Sequence, residues 1–201
     1  MLHRLPVNTV GLPGIFAFAI GGIAFLIALF AARRRVARDG KPTVAQRANA
    51  SWLWIALQGL AIATAGFGRV EPFLDPWSPR ALAEAAVVLV LMLGAVWLFY
   101  TASRAMGKNW ALVARTREDH SLVTNGPFAF VRNPIYSALF LFLIALAIAY
   151  GHWRNLAVAV PLYWIATWGR VRHEERLLRA QFGAEYDAYA ARVKRFVPGL
   201  I

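Results

Sequence analysis

Leu122-Val123-Thr124-Asn125-Gly126-Pro127-Phe128-Ala129-Phe130-Val131-Arg132-Asn133-Pro134-Ile135-Tyr136 is a polar, turn-forming stretch that runs directly into an apolar segment. Pro134 has no N–H to donate and suits the first position of a helix. Asn133 is placed to cap that helix by accepting from a free backbone N–H. Gly126-Pro127 allows a sharp turn just upstream. The stretch therefore predicts a helix N-terminus at a membrane surface, with Arg132 and Tyr136 beside it and its positive dipole end available to an anion. Locally it reads equally as a capped membrane helix with an arginine anchoring its end.

The composition explains why a membrane enters the reading. Of 201 residues, 59% are hydrophobic and only 16% charged, with a mean hydropathy of +0.50. Soluble domains are usually less apolar and more charged. No cysteine is present, which excludes disulfides, thiolate metal sites and cysteine nucleophiles. The net charge of +12 is explained by an anionic lipid surface, with no call for nucleic acid.

Outward from the opening stretch, the chain divides into apolar runs and basic connections. Gly14–Ala32 is an apolar run long enough to span the roughly 30 Å hydrocarbon core, and Arg33-Arg34-Arg35 follow it. It is too long for a signal h-region, and its charges follow rather than precede it, so it reads as a span. Ser51–Phe67, Ala81–Tyr100 and Pro134–Tyr150 are the next three runs. Leu156–Trp168 is a fifth, of 13 residues. As a helix it rises only about 20 Å. Either it continues through Gly169 past Arg170, or the fourth and fifth runs form a helical hairpin buried against the others.

Lysine and arginine set the orientation. Eighteen lie in the connections after the first, third and fifth runs, against four (Arg4, Arg69, Arg80, Arg154) on the opposite side. The expectation is five crossings, with the N-terminus outside and the C-terminus and all chemistry-bearing sequence on the cytoplasmic side of the inner membrane. His173–Phe196 carries Leu178, Phe182, Tyr186, Tyr189, Val193 and Phe196 at three- and four-residue intervals, and reads as an amphipathic helix along the bilayer surface. The expected architecture is thus an all-α integral membrane protein: one domain, with three N-terminal spans over 1–100, a catalytic half over 107–201, and a last pair of helices forming a hairpin.

A second polar stretch, Arg170-Val171-Arg172-His173-Glu174-Glu175, lies where the fifth run meets the cytoplasm. Adjacent carboxylates there are costly unless paired or bound. Neighbouring helical residues point about 100° apart, so one carboxylate can face a pocket while the other meets Arg170 or Arg179. A surface ion-pair network also accounts for the local sequence.

In order, the chain shows a Gly-Pro-aromatic turn, Val131-Arg132-Asn133-Pro134-Ile135-Tyr136, an apolar hairpin, Glu174-Glu175-Arg176-Leu177-Leu178, Phe182-Gly183-Ala184-Glu185-Tyr186-Asp187-Ala188-Tyr189 and a closing Val197-Pro198. This order resembles the isoprenylcysteine carboxyl methyltransferase family, itself similar in its C-terminal half to the phospholipid N-methyltransferases. The resemblance covers about Gly107–Ile201 and implies an integral membrane enzyme that uses S-adenosylmethionine to methylate a lipophilic or lipid-modified acceptor. It implies cofactor binding by Leu122, Val123, Gly126, Arg132, Asn133, Pro134, Tyr136, His173, Glu174 and Glu175, and no metal. Asn133 stands where the family usually has histidine, so a base at that position is lost while hydrogen bonding is kept.

An ionised carboxylate acceptor needs only a cation to orient it, for which Arg170 and Arg172 are the candidates, with Glu175 beside them. His120 and His173, on the cytoplasmic side, read as structural, with taking a proton from an amine acceptor as the alternative. Three other readings compete: a phospholipid-type N-methyltransferase, an NADPH-dependent enzyme resembling sterol reductases, and a non-catalytic lipid-binding membrane protein. A soluble Rossmann methyltransferase is excluded, because no strand is followed by a glycine-rich turn and helix.

Overall fold

The computed structural model describes residues 8–38, 44–47, 51–110, 115–117, 121–197 and 199. Six α-helices carry the described chain: α1 (Leu12–Arg38), α2 (Ser51–Gly66), α3 (Pro79–Met106), α4 (Pro134–Ala149), α5 (Leu156–Phe182) and α6 (Ala184–Arg192). Helix α3 has the clearest start signal. Ser78 accepts from Ala81 N at 3.3 Å, and Pro79 fills a first-turn position whose N–H would be unpaired anyway. Its stop is Gly107 at φ 50°, a left-handed geometry that a Cβ would oppose.

Helices α1 and α3 are long and apolar enough to cross a membrane, while α2 and α4 are shorter apolar helices. Phe16, Ile20 and Ile23 of α1 and Val90, Leu93 and Trp97 of α3 are exposed, which is affordable only against lipid or a partner. Inside, α3 packs on both α1 and α4, and α5 packs chiefly along α2. Phe25 touches Phe99 at 4.7 Å and Phe142 at 5.4 Å between ring centroids, tying α1, α3 and α4 into one aromatic core.

The connections segregate to two ends. At one, strand β1 (Thr9–Gly11) pairs in parallel with β3 (Glu71–Leu74), Asn8 Nδ2 donates to Gly151 O, and Asn155 Nδ2 donates to Thr64 O and Phe67 O. At the other, β2 (Val44–Arg47) pairs antiparallel with β4 (Arg115–Arg117). These two short pairs were not expected of an all-α chain.

Three further expectations need correction. Asn133 does not cap α4 with its side chain. Its carbonyl accepts from Tyr136 N and Ser137 N, while its Nδ2 lies 3.4 Å from Arg195 O. Of the two readings of the fifth run, continuation through Gly169 past Arg170 holds and the close hairpin does not: the 13-residue apolar run belongs to a 27-residue α5, about 40 Å long, which lies mainly on α2 and meets α4 through Phe140, Tyr163 and Trp164. The His173–Phe196 stripe is not one surface helix. Gly183 at φ 51° ends α5, and α6 folds so that Tyr186, Tyr189 and Phe196 are buried in the protein. The apolar periodicity was genuine, but its partner is the protein interior.

The α2–α5 seam depends on Gly169, where an added Cβ would lie 2.6 Å from the Trp54 indole. Gly169→Val is expected to lower the thermal unfolding midpoint in detergent, with an overpacking cost of about 1–3 kcal/mol. Gly59→Ala on α2, where nothing lies within 4 Å of a built Cβ, is the matched control and is expected to cause no loss.

Candidate active site

The end of the bundle that carries β2 and β4 also holds the polar residues of both sequence stretches. The chain after α6 runs as a strap over residues 193–197. Val131 and Lys194 form a parallel bridge, Arg132 N donates to Lys194 O at 2.8 Å, and Asn133 N donates to Arg195 O at 3.0 Å. Ser137 Oγ donates to Phe196 O at 3.2 Å. The backbone entering α4 is therefore paired to the strap.

Glu175 locks this arrangement. Its carboxylate receives Arg132 Nη2 at 2.9 Å, and Arg195 through Nε at 2.9 Å and Nη2 at 2.8 Å. The second arginine is thus bidentate. Arg132 also donates through Nη1 to Ala190 O and Val193 O, closing the end of α6. Burial pushes the Glu175 carboxyl upward, but the hydrogen bonds from Arg195 and Arg132 outweigh it and hold the group below its ordinary value.

Glu174, one residue earlier, turns to different partners. Its Oε1 accepts from Tyr136 OH at 2.6 Å and from Arg170 Nε at 3.1 Å. Arg170 lies over the Tyr136 ring at 5.2 Å, and its Nη1 donates to Gln58 Oε1 at 3.2 Å. Tyr163 OH donates to Tyr136 O at 2.6 Å, so α5 also fixes the first turn of α4.

Arg132, Tyr136, Arg170, Glu174 and Glu175 form one wall of a cavity of about 280 Å³, near the lower end of small-molecule sites. Apolar side chains build the facing wall, among them Phe25 and Leu29 of α1, Phe99 and Met106 of α3, and Leu139 of α4. Tyr189 donates to Phe128 O at 2.7 Å, and burial raises its phenol to about 12, so it stays a neutral wall element. Among the described residues, Asn109 Oδ1 and Arg132 Nε, buried in the walls, have no hydrogen-bond partner.

Of the residues singled out in the sequence, Leu122, Val123, Arg132, Asn133, Pro134 and Tyr136 line the cavity, as do Arg170, Glu174 and Glu175. Three do not. Gly126, at φ 58°, opens the turn that carries Phe128 into the wall. Arg172 is exposed and lies over Trp168 at 5.6 Å, because two helical positions from Arg170 is the opposite side of α5. His173 is paired through Nδ1 with Gly169 O at 2.9 Å and faces Trp54. His120 lies outside the described residues. Sequence reasoning missed Asn109, the apolar wall from α1 and α3, and Gln58. Only Gln58 carried a signal, being a polar side chain in mid-run.

The Glu175 pairings predict a specific acid response. A carboxyl whose folded pKa is depressed contributes stability that is complete above its ordinary value, about 4.3, and is lost as pH falls through the folded value. Glu175→Gln leaves two arginines with a neutral partner, so it is expected to cost about 3–5 kcal/mol at pH 7. It is also expected to remove much of the native protein's loss of unfolding midpoint below about pH 4, as followed by a pH series of thermal melts in detergent.

The phospholipid methyltransferase family profile matches residues 83–185. Among curated proteins, the protein-S-isoprenylcysteine O-methyltransferase of Saccharomyces cerevisiae is 28% identical over 137 residues, covering 64% of this chain and 57% of that one. That of Schizosaccharomyces pombe is 28% identical over 87 residues, covering 43% and 37%. The nickel-cobalt-cadmium resistance protein NccN of Alcaligenes xylosoxydans xylosoxydans is 33% identical over 119 residues, covering 58% and 52%. The chain spans about half the length of the curated relatives it matches, and somewhat less of the second. The matched profile takes in most of α3, all of α4 and α5 and the start of α6, including the Arg132, Arg170, Glu174 and Glu175 wall; the chain belongs to the phospholipid methyltransferase family.

Proposed function

We propose that this chain is an S-adenosylmethionine-dependent methyltransferase acting on the carboxylate of a lipophilic, membrane-borne acceptor. The observation that carries the reading is a cavity lined by apolar side chains of α1 and α3 and by charged side chains at the start of α4 and on α5. A greasy acceptor and a water-soluble, zwitterionic donor need opposite surroundings, and this cavity offers both. Arg132 and Arg170 line the cavity with Glu174 and Glu175, and Arg195, bonded to Glu175, adds a third cation to this cluster, which suits an anionic acceptor. The names of the yeast relatives, isoprenylcysteine O-methyltransferases, point the same way.

The residues present fit the donor. Arg132 and the first turn of α4 suit its carboxylate, Glu174 its ammonium group, and the neutral Asn109 with Trp110 its base. When bound, S-adenosylmethionine supplies a methyl group already activated by the sulfonium, so the protein contributes position and electrostatics. Arg170 orients the acceptor carboxylate, which is ionised at neutral pH and needs no base. Glu175 serves by holding Arg132 and the strap in place. A second reading, N-methylation of a phospholipid-type amine, is favoured by the Glu174 carboxylate at the cavity wall and by the family's description.

The chain is further read as one membrane domain with five crossings and its site on the cytoplasmic side, in the inner membrane. Support comes from the eighteen-to-four charge asymmetry and from the alternation of helix connections between the two ends. Because the chain has no native thiol, an introduced cysteine reports alone. Glu185→Cys is expected to resist a membrane-impermeant maleimide in intact cells and Trp77→Cys to react; the reverse would overturn the orientation.

Product analysis tests the chemistry. With S-farnesylcysteine and methyl-labelled donor, base-labile label is expected, as from an ester. Base-stable label from a phospholipid amine would establish the second reading instead. Arg170→Ala is expected to reduce ester formation about 100-fold, the scale of losing a group that orients the reacting charge, and to weaken S-adenosylhomocysteine binding by a smaller factor.

A further inference from the structure

Gln58 of α2 is buried at 4% exposure inside a helix whose neighbours are almost all apolar. A leucine would pack there without the cost of burying an amide. Its geometry shows what the amide does. Arg170 Nη1 can only donate, so the Gln58 atom 3.2 Å away is its oxygen. Nε2 then donates to Thr167 Oγ1 at 2.8 Å, and Thr167 is itself fully buried one helical turn before Arg170. Gln58 thus grips α5 at two points and fixes the position of the Arg170 guanidinium.

Arg170 has four rotatable side-chain torsions, so its aim must be imposed from outside. Glu174 holds Nε, the Tyr136 ring supports the guanidinium face at 5.2 Å, and Gln58 holds Nη1. Replacing Gln58 by an apolar side chain removes the Nη1 hydrogen bond, one of the restraints on the guanidinium's orientation. We propose that Gln58 is a positioning residue that orients Arg170 toward the acceptor carboxylate, so that α2, which lies outside the residues matched to the family, sets acceptor affinity. This rests on the reading of Arg170 as the ligand of the acceptor carboxylate. The competing role is a polar staple between α2 and α5. A staple would loosen the whole site, whereas a positioning residue affects the acceptor and spares the donor, whose polar wall is held by Arg132, Glu174 and Glu175.

The experiment compares Gln58→Leu, Thr167→Val and the double variant of the full chain in detergent, measuring KM for S-farnesylcysteine, calorimetric Kd for S-adenosylhomocysteine and unfolding midpoint. Gln58→Leu is expected to raise the S-farnesylcysteine KM about tenfold, the scale of a hydrogen bond to a charged group, and to leave the S-adenosylhomocysteine Kd within about twofold. Thr167→Val is expected to raise KM less, and the double variant no more than Gln58→Leu alone, because both act through one grip. Gln58→Met, closer in shape, takes the place of leucine should that variant fail to fold. An unchanged KM, or a parallel loss of S-adenosylhomocysteine affinity, overturns the proposal. Wild-type protein that makes no ester from S-farnesylcysteine removes the acceptor reading and this proposal with it. Ester formation that is indifferent to Gln58 removes this proposal alone.

Discussion

The buried pairing of Glu175 with Arg132 and Arg195 is the constraint on which the site depends. It joins three segments distant in sequence: the start of α4, the C-terminal half of α5 and the strap after α6. Burying the Glu175 carboxylate and the Arg132 guanidinium is expensive, and the arrangement holds only because the hydrogen bonds, including those from the half-buried Arg195, are many and well directed. Arg132 closes the end of α6 with the same guanidinium that meets Glu175, so helix termination and ion pairing are one event. The backbone pairing of residues 131–133 with the strap completes the frame.

That frame divides labour between two adjacent carboxylates. Glu175 is committed to two arginines, while Glu174 meets Tyr136 and Arg170 beside the cavity. Helical geometry requires the divergence, since consecutive side chains point about 100° apart. The same rule separates Arg170 from Arg172: one enters the wall and the other lies against Trp168 at the surface. An identical motif read without helical phase would place all four in one site.

What was legible in the sequence follows from this. The Arg132–Tyr136 stretch and the Glu174-Glu175 pair announced themselves because charge beside apolar runs is costly and so carries information. The helix start at Pro134 was set by local chemistry, and Gly183 in Phe182-Gly183-Ala184 held a stop signal that the apolar stripe around it concealed. The direction of that stripe was not legible, because lipid and protein interior are equally apolar partners for Tyr186 and Phe196. Phe25, Leu29 and Phe99 gave no sign of lining a cavity, since a residue facing lipid and one facing a ligand look alike in an apolar run. Asn133 illustrates the opposite error: a good capping residue whose side chain is directed to the strap by backbone pairing.

Among the readings the sequence allowed, the NADPH-dependent and non-catalytic alternatives differ from the one favoured here in what the charged wall holds. Calorimetry on the wild-type protein in detergent tests this most directly, with S-adenosylhomocysteine and NADPH titrated separately. The account predicts saturable binding of S-adenosylhomocysteine at one site per chain and no binding of NADPH. Binding of NADPH, or of neither ligand, would contradict it.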